Sequence, residues 1–520
     1  MKQKILFLLI SNLLSCYVLY AQGETTHWYF GTNSGMDFTD MYTINNATIN
    51  GTAGQTLSGI PRFDSGPINT DEGCFSMSDK NGNFLFASDG MKVYNKNKAQ
   101  MPHGAGLKGH PSATQSGIVI PRPTHPNNYY IVTSSERQQT SVPLYYYEVD
   151  LTLDDDKGDV LGPYTGNVPN GIALNLGGVY SDGWAGENIA AVGHVNGIDY
   201  WLIHRLRNYF FVWLVTKDGI SPTPYASYPI GYDLNISGLV PYGHMKFSAD
   251  GKYIANIGGN RITVAKFDNS TSNISDIVTY QVGTDATTDA YGIVFSPNNK
   301  YLYYTFFDYS HGFSRLDLQK LFNGETQTPL VINTRVANIQ IGPDNRIYGN
   351  VSNWLSYAFS DYRDLYIVLN PDDENIDTAK ITNYFPVGAG SHLSWPTFTA
   401  SFYSSSDIET TPQLPACFNK EITFSFHLST GSGPDRATRL EWDFGDGSPI
   451  VPENDMDKFI FSQKRTYKKR GNYTLTITPY RQDLSGNYIA MTDKIKTMDV
   501  KINSCVLPVN HNISAMGYYD

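Results

Sequence analysis

Two stretches decide the fold: Glu441 to Pro449, EWDFGDGSP, and Arg465 to Thr478, RTYKKRGNYTLTIT. In the second, Tyr473, Leu475 and Ile477 alternate with Asn472, Thr474 and Thr476, the period-two pattern of a half-buried strand. In the first, Trp442 and Phe444 are spaced to enter one core, while Gly445, Asp446, Gly447 and Pro449 impose a turn. The two segments read as neighbouring strands of a small β-sandwich.

Those residues, Trp442, Asp443, Phe444, Gly445, Asp446 and Gly447 followed by the TYKKRGNYTLTI strand, closely resemble the PKD family of immunoglobulin-like modules. The resemblance implies an extracellular spacer or binding module and carries no chemistry with it. Asp443 and Asp446 are read as hairpin hydrogen-bonding groups.

Working outward, the 520-residue chain has room for more than one domain. Only 17% of residues are charged, whereas Tyr (37) and Gly (46) are abundant, which with the many Thr and Asn points to an all-β protein. A net charge of −11 and the lack of a basic face exclude nucleic acid as a partner. The N-terminus reads as a secretory signal: Lys2 and Lys4, an apolar run from Ile5 to Leu14, and a cut after Ala21. Lipoprotein processing at Cys16 is the alternative. No later segment is apolar enough to span a bilayer as a helix, so the mature protein is expected to be soluble or peripherally held. Beyond the signal remain Cys74, Cys417 and Cys505. The last two flank the sandwich and are expected to staple it as a disulfide, leaving Cys74 as a buried structural thiol.

Between residues 22 and 402 one device recurs: a polar Asp/Asn/Gly turn followed by a strand rich in Tyr, Leu and Ile. It appears at Met77 to Gly90 (MSDKNGNFLFASDG), Phe247 to Gly258 (FSADGKYIANIG), Phe295 to Phe307 (FSPNNKYLYYTFF) and Ile341 to Val351 (IGPDNRIYGNV). Asp250, Asn298 and Asp344 are 48 and then 46 residues apart, a period that in an all-β chain signifies propeller blades. The expected architecture is a β-propeller of about seven blades, with six or eight as alternatives, over residues 22–402. A linker at 403–415, the sandwich at 416–506 and a tail at 507–520 follow. The ring is expected to close by pairing Trp28, Tyr29 and Phe30 with Leu393 to Phe398.

The order WYFGTNSGMDF, DEGCFSMSDKNGNFLFASDG, SATQSGIVIPRP is also similar to a group of Bacteroidetes surface proteins grouped with gliding motility, many exported by the type IX secretion system. The resemblance implies residence at the cell surface, the outer membrane or the periplasm. Such relatives often continue into further PKD modules and a sorting domain, whereas this sequence stops at Asp520, which leaves the export route open.

No catalytic, cofactor or metal constellation stands out. The eleven histidines are scattered, and His103 and His110 share only a Gly-rich loop. Asp154, Asp155, Asp156 and Asp159 lack the interleaved calcium-loop pattern. There is no GxSxG elbow and no phosphate-cradling glycine loop after a strand. The candidate binding residues are instead aromatic and imidazole groups on a propeller rim: Tyr180, Trp184, Tyr242, His244, Tyr309, His311, His392 and Trp395. Two functions follow. The first is non-enzymatic binding or scaffolding in the bacterial envelope, toward a protein complex or a surface glycan. The alternative is a carbohydrate-active enzyme with two convergent carboxylates on the propeller axis.

Overall fold

The computed structural model describes residues 23–504, apart from 80–81, 137–142, 177–184, 195, 197, 233–241, 283–288, 307–312, 334–335, 352–362, 404–407, 412–413, 428–436, 455–459, 484–485 and 493–494. Described strands from His27 to Ile381 form a seven-bladed ring. Six blades are antiparallel sheets whose innermost strands are Phe75–Ser78, Gly117–Pro121, Ala185–Gly193, Met245–Phe247, Ala290–Phe295 and Val336–Ile341. The seventh is built from His27–Phe30, Ser34–Ile49 and Thr52–Phe63, with His27–Phe30 innermost and packed beside Phe75–Ser78.

The periodic turns have a common cause. Each joins the first and second strands of a blade, and in two of them a serine hydroxyl organises the reversal. Ser248 Oγ donates to Asp250 Oδ1 (2.8 Å) and accepts from Tyr253 N (3.0 Å); Ser296 Oγ donates to Asn298 Oδ1 and accepts from Tyr301 N, both at 3.0 Å. The sixth blade uses Asp344, whose Oδ1 accepts from Arg346 N. Short polar side chains thus replace backbone partners in the tight turn. The strands beyond each turn carry buried Tyr, Ile and Leu into the interfaces between blades.

Ring closure differs from the sequence expectation. His27–Phe30 pairs with its own neighbour, Ser34–Asp37, and the seventh blade is fastened to the sixth by Thr48 opposite Lys380 and Ile49 opposite Ala379. The late segment meets the first strand through ring contacts, Trp395 edge-on to Trp28 at 5.4 Å and tilted on Phe30 at 4.6 Å, and not through a strand ladder. Instead of forming a strand, residues 391–403 run through the centre of the ring. Thr397 N donates to Cys74 O (2.9 Å), Thr399 Oγ1 to Val119 O (2.8 Å), Gly193 N to Ser401 Oγ (3.1 Å), and Gln340 Nε2 to Tyr403 Oη (2.8 Å). Ser391, Ser394, Thr397 and Thr399 are all buried, and apart from one bridge between Pro396 and Cys74 this segment is an axle held to the inner strands by backbone groups and by the hydroxyls of Ser394, Thr399 and Ser401.

The C-terminal region is a β-sandwich. One sheet orders Glu409–Thr411, Glu421–His427 and Ile460–Thr466; the other contains Ala416–Cys417, Lys496–Asn503, Gly471–Gln482, Arg439–Asp443 and Val451–Glu453. The strand Glu409–Thr411 falls in the stretch read as linker. Trp442, Phe444, Leu475 and Ile477 are buried together, as the alternation requires.

Candidate functional site

The innermost strands all start at one end of the ring, and the residues at those starts meet around the axis. Glu72 precedes the first inner strand, Thr114 the second, and Glu187 opens the third; Tyr242 and His244 precede the fourth, and Asp289 and Tyr291 flank the start of the fifth. Tyr291 Oη donates to Glu72 Oε2 at 2.9 Å. Glu187 Oε2 accepts from Thr114 N (3.0 Å) and Thr114 Oγ1 (2.9 Å), and Thr114 Oγ1 in turn accepts from Gly243 N. Burial, reinforced by the Glu187 charge, pushes the Glu72 carboxyl up to about 8, while the Tyr291 hydrogen bond works the other way. Glu72 is therefore protonated at neutral pH. Two carboxyl groups from different blades share one electrostatic neighbourhood.

The sequence-derived rim residues sit as follows. Tyr242 is half-buried and donates to Asp289 Oδ2 at 2.6 Å. His244 is buried, 5.5 Å from the Tyr291 ring, with Nε2 at 3.2 Å from Asn338 Nδ2. Burial, and then the Lys246 charge, hold His244 well below the ordinary histidine value, so it is neutral. His392 is buried with Nε2 at 2.7 Å from Thr32 Oγ1 and Nδ1 at 3.4 Å from Asp71. Trp395 is buried in the axle and donates to Asn338 O. These three belong to the wall of the axial mouth and are covered by their neighbours. Tyr180, Trp184, Tyr309 and His311 lie outside the described residues.

Deeper along the axis lies a cavity of about 30 Å³, room for about two waters. It is lined by apolar groups including Ile189, Met245, Val294 and Phe398, and by Lys246, Gln340 and Thr397. Lys246 Nζ donates to Gln340 Oε1 at 2.8 Å, and burial lowers its pKa to about 7. Cys74 is a buried free thiol 3.0 Å from Ser394 Oγ, pushed up to about 12 by burial and so unsuited to nucleophilic chemistry.

The remaining sequence candidates resolve into local structure. His103 Nδ1 is 2.5 Å from Asp159 Oδ2 and its ring stacks on Tyr164; His110 faces Glu136. Asp154, Asp155 and Asp156 form a left-handed turn closed by Lys157. Among the described residues no group of three or more His, Cys, Asp or Glu is placed to hold a metal ion. No helix among them is long and apolar enough to cross a membrane.

In the sandwich, Asp443 Oδ1 accepts from Gly445 N and Asp446 Oδ1 from Ser448 N, while Asp446 Oδ2 pairs with Arg465 Nε at 2.8 Å. Burial opposes ionisation of Asp446, but the Ser448 and Arg465 bonds outweigh it and hold the carboxyl below its usual range. Both aspartates are thus occupied by the turn. Gly445 has φ +67°, and a Cβ there would come within 2.3 Å of Thr474 O, which explains the glycine. Cys417 is disulfide-bonded and its strand pairs with Asn503, two residues short of Cys505; Cys505 itself lies outside the described residues.

Comparison with known proteins agrees with this architecture at the C-terminus, where residues 408–479 match the PKD domain family. No curated protein sequence matches the chain. Among solved structures, the chain is similar to one titled as a candidate 6-phosphogluconolactonase from Bacteroides uniformis (14% identity, 84% of this chain and 99% of that one, TM-score 0.35). It is also similar to the β-propeller domain of Myceliophthora thermophila Cps50 (10% identity, 63% and 94%, TM-score 0.35). A third likeness is to the Dos1 propeller (10% identity, 76% and 83%, TM-score 0.39). At such scores these likenesses say nothing about what the chain binds, and the ring stands on the strand ladders given above. The protein is an all-β chain with a propeller followed by a PKD-type sandwich.

Proposed function

We propose that the chain is an exported binding or scaffolding protein of a bacterial envelope. The ring end at which the inner strands begin engages a protein partner or a surface glycan, and the sandwich spaces or docks it. The observation that carries this reading is that the axle, residues 391–403, fills the bore, so a ligand meets a polar face rather than a channel. Rigid blades suit that role, because they hold the presented side chains at fixed positions with little ordering left for binding. The resemblance to exported surface proteins makes secretion, gliding or adhesion machinery the natural setting, with the cell surface, outer membrane or periplasm as its location.

A second reading is favoured by one observation: the Glu72–Tyr291 and Glu187–Thr114 pairs lie together at the axial mouth, with Glu72 poised to give up a proton near pH 8. That arrangement suits general acid catalysis on a glycosidic oxygen. Affinity purification of the tagged protein from its native envelope in mild detergent, with mass spectrometry, separates the two. A stoichiometric envelope partner supports the scaffold; the protein alone, with polysaccharide turnover abolished in Glu72→Gln, would replace it with the enzyme.

A further inference from the structure

A second polar cluster lies away from the axis, between the third and fourth blades. Its centre is Arg205, on the strand Tyr200–Leu206, one of the largest fully buried side chains of the molecule. Its Nη1 donates to Asn256 Oδ1 (2.6 Å) and to Tyr232 Oη (3.0 Å), and its Nε to the Arg207 carbonyl (3.2 Å). All of these acceptors are uncharged. Nη2 is buried without a hydrogen-bond partner, and so are Asn256 Nδ2 and Asn188 Nδ2, whose residues are also fully buried. Asn188 is fixed by its Oδ1, which accepts from Arg205 N.

A second guanidinium belongs to the cluster. Arg261 lies 4.8 Å from the centre of the Tyr232 ring and Arg205 lies 4.5 Å from the same ring. Tyr232 is oriented further by Thr263, 2.9 Å from its hydroxyl. Neither arginine has a carboxylate partner among the described residues. That is unusual in a chain of net charge −11. A guanidinium does not shed its proton, so burial without a counter-charge is strongly unfavourable unless an anion completes it. The unused hydrogen-bonding groups are donors, an excess that only an acceptor-rich partner can satisfy.

We propose that this donor cluster binds one oxyanion group, a carboxylate, sulfate or phosphate. Arg205 Nη2 and the Asn256 amide would hold it, Asn188 would contribute beside them, and half-buried Tyr232 and Arg261 would form its outer wall. Such groups reach the protein either as free ions or on an acidic sugar. An arginine with adjacent amides offers the flat, multiple-donor geometry that oxyanions accept and halide ions use poorly.

The test is thermal unfolding and calorimetric titration of the full chain at constant ionic strength with acetate, sulfate, phosphate or glucuronate, against chloride. Wild type is expected to bind one equivalent of at least one oxyanion and to melt at a higher temperature in it; the ranking of the four distinguishes a free ion from a uronate. Asn256→Asp places a carboxylate on Arg205 and is expected to abolish the response. Should that variant fail to fold, Arg261→Gln, at a half-buried position, is expected to weaken binding by about tenfold, the size of one charge-assisted contact. No oxyanion effect on wild type, or an effect unchanged in the folded variants, overturns the proposal.

Discussion

In the sandwich, the core from Ile408 to Ile502 carries no charge, its polar groups being the Trp442 indole N–H and the Tyr467 hydroxyl, which donates to the Phe444 carbonyl; the motif's charges pair outside it as Asp446 and Arg465. In the ring, charge is taken inside: Lys246 on a single amide oxygen, Arg205 on neutral acceptors, and Glu187 beside a Glu72 raised by burial. Burying ionisable groups this way costs stability, and a domain whose only task is to space other parts has no reason to do it. The contrast supports the proposal that recognition belongs to the ring and mechanical support to the sandwich.

The strongest way to break that contrast is to damage each core separately and follow two unfolding transitions by calorimetry. Trp442→Ala empties the sandwich of a fully buried indole and is expected to cost its transition about 3–5 kcal/mol, with the ring transition unmoved. Movement of both would mean that the cores are energetically one.

The next effect is a pH slope confined to the ring. Lys246 has a folded pKa of about 7 against 10.5 for the ordinary group, so between these values the unfolded chain binds the extra proton. Ring stability therefore falls as pH drops from about 10.5 to about 7, by an amount on the order of a few kcal/mol. Lys246→Met should flatten this slope; a slope that persists would place the buried charge elsewhere.

Glu72 acts in the opposite sense. Its folded pKa, about 8, lies above the ordinary 4.5, so the folded state holds the extra proton and stability declines as pH rises from about 4.5 to about 8. Glu72→Gln is expected to remove that decline and to stabilise the ring at pH 8 by roughly 2 kcal/mol, the relief from burial offset in part by a weaker bond from Tyr291. A destabilised Gln variant would show that Glu72 is ionised and structurally paired.

The smallest effect is expected in the sandwich. Arg465→Ala removes a pair whose side chains are 27% and 13% exposed, and should cost under about 1 kcal/mol in denaturant unfolding. A loss of several kcal/mol would make the sandwich, too, a store of buried charge.

The degree to which each region is legible in sequence follows the range of its interactions. EWDFGDGS encodes its turn within eight residues, through Asp443 to Gly445 and Asp446 to Ser448, so the sandwich can be read directly. Blades four to six are legible for the same reason, since Asp250, Asn298 and Asp344 each shape their own turn. The seventh blade and the axle are not, because their partners are remote: Thr48 meets Lys380, and Thr399 meets Val119. The signal for the axle is the recurrence of Ser391, Ser394, Thr397 and Thr399 among bulky apolar residues, of which Ser394 and Thr399 use their hydroxyls on Cys74 and Val119. Glu72 was hidden beside Cys74 in DEGCF, and its partners Tyr291 and Glu187 come from other blades. Arg205 does carry a sign, as a fixed charge next to His204 inside the largely apolar strand Tyr200–Leu206.

The most direct test of the division between a recognising ring and a supporting sandwich is partner retention, measured by quantitative mass spectrometry after affinity purification from the native envelope. Wild type would be compared with a folded Glu72→Gln, Glu187→Gln double variant and with Arg465→Ala. The account predicts that the double variant loses its envelope partner or glycan while Arg465→Ala keeps it. Full retention by the double variant, with loss in Arg465→Ala, would contradict the assignment and move recognition to the sandwich.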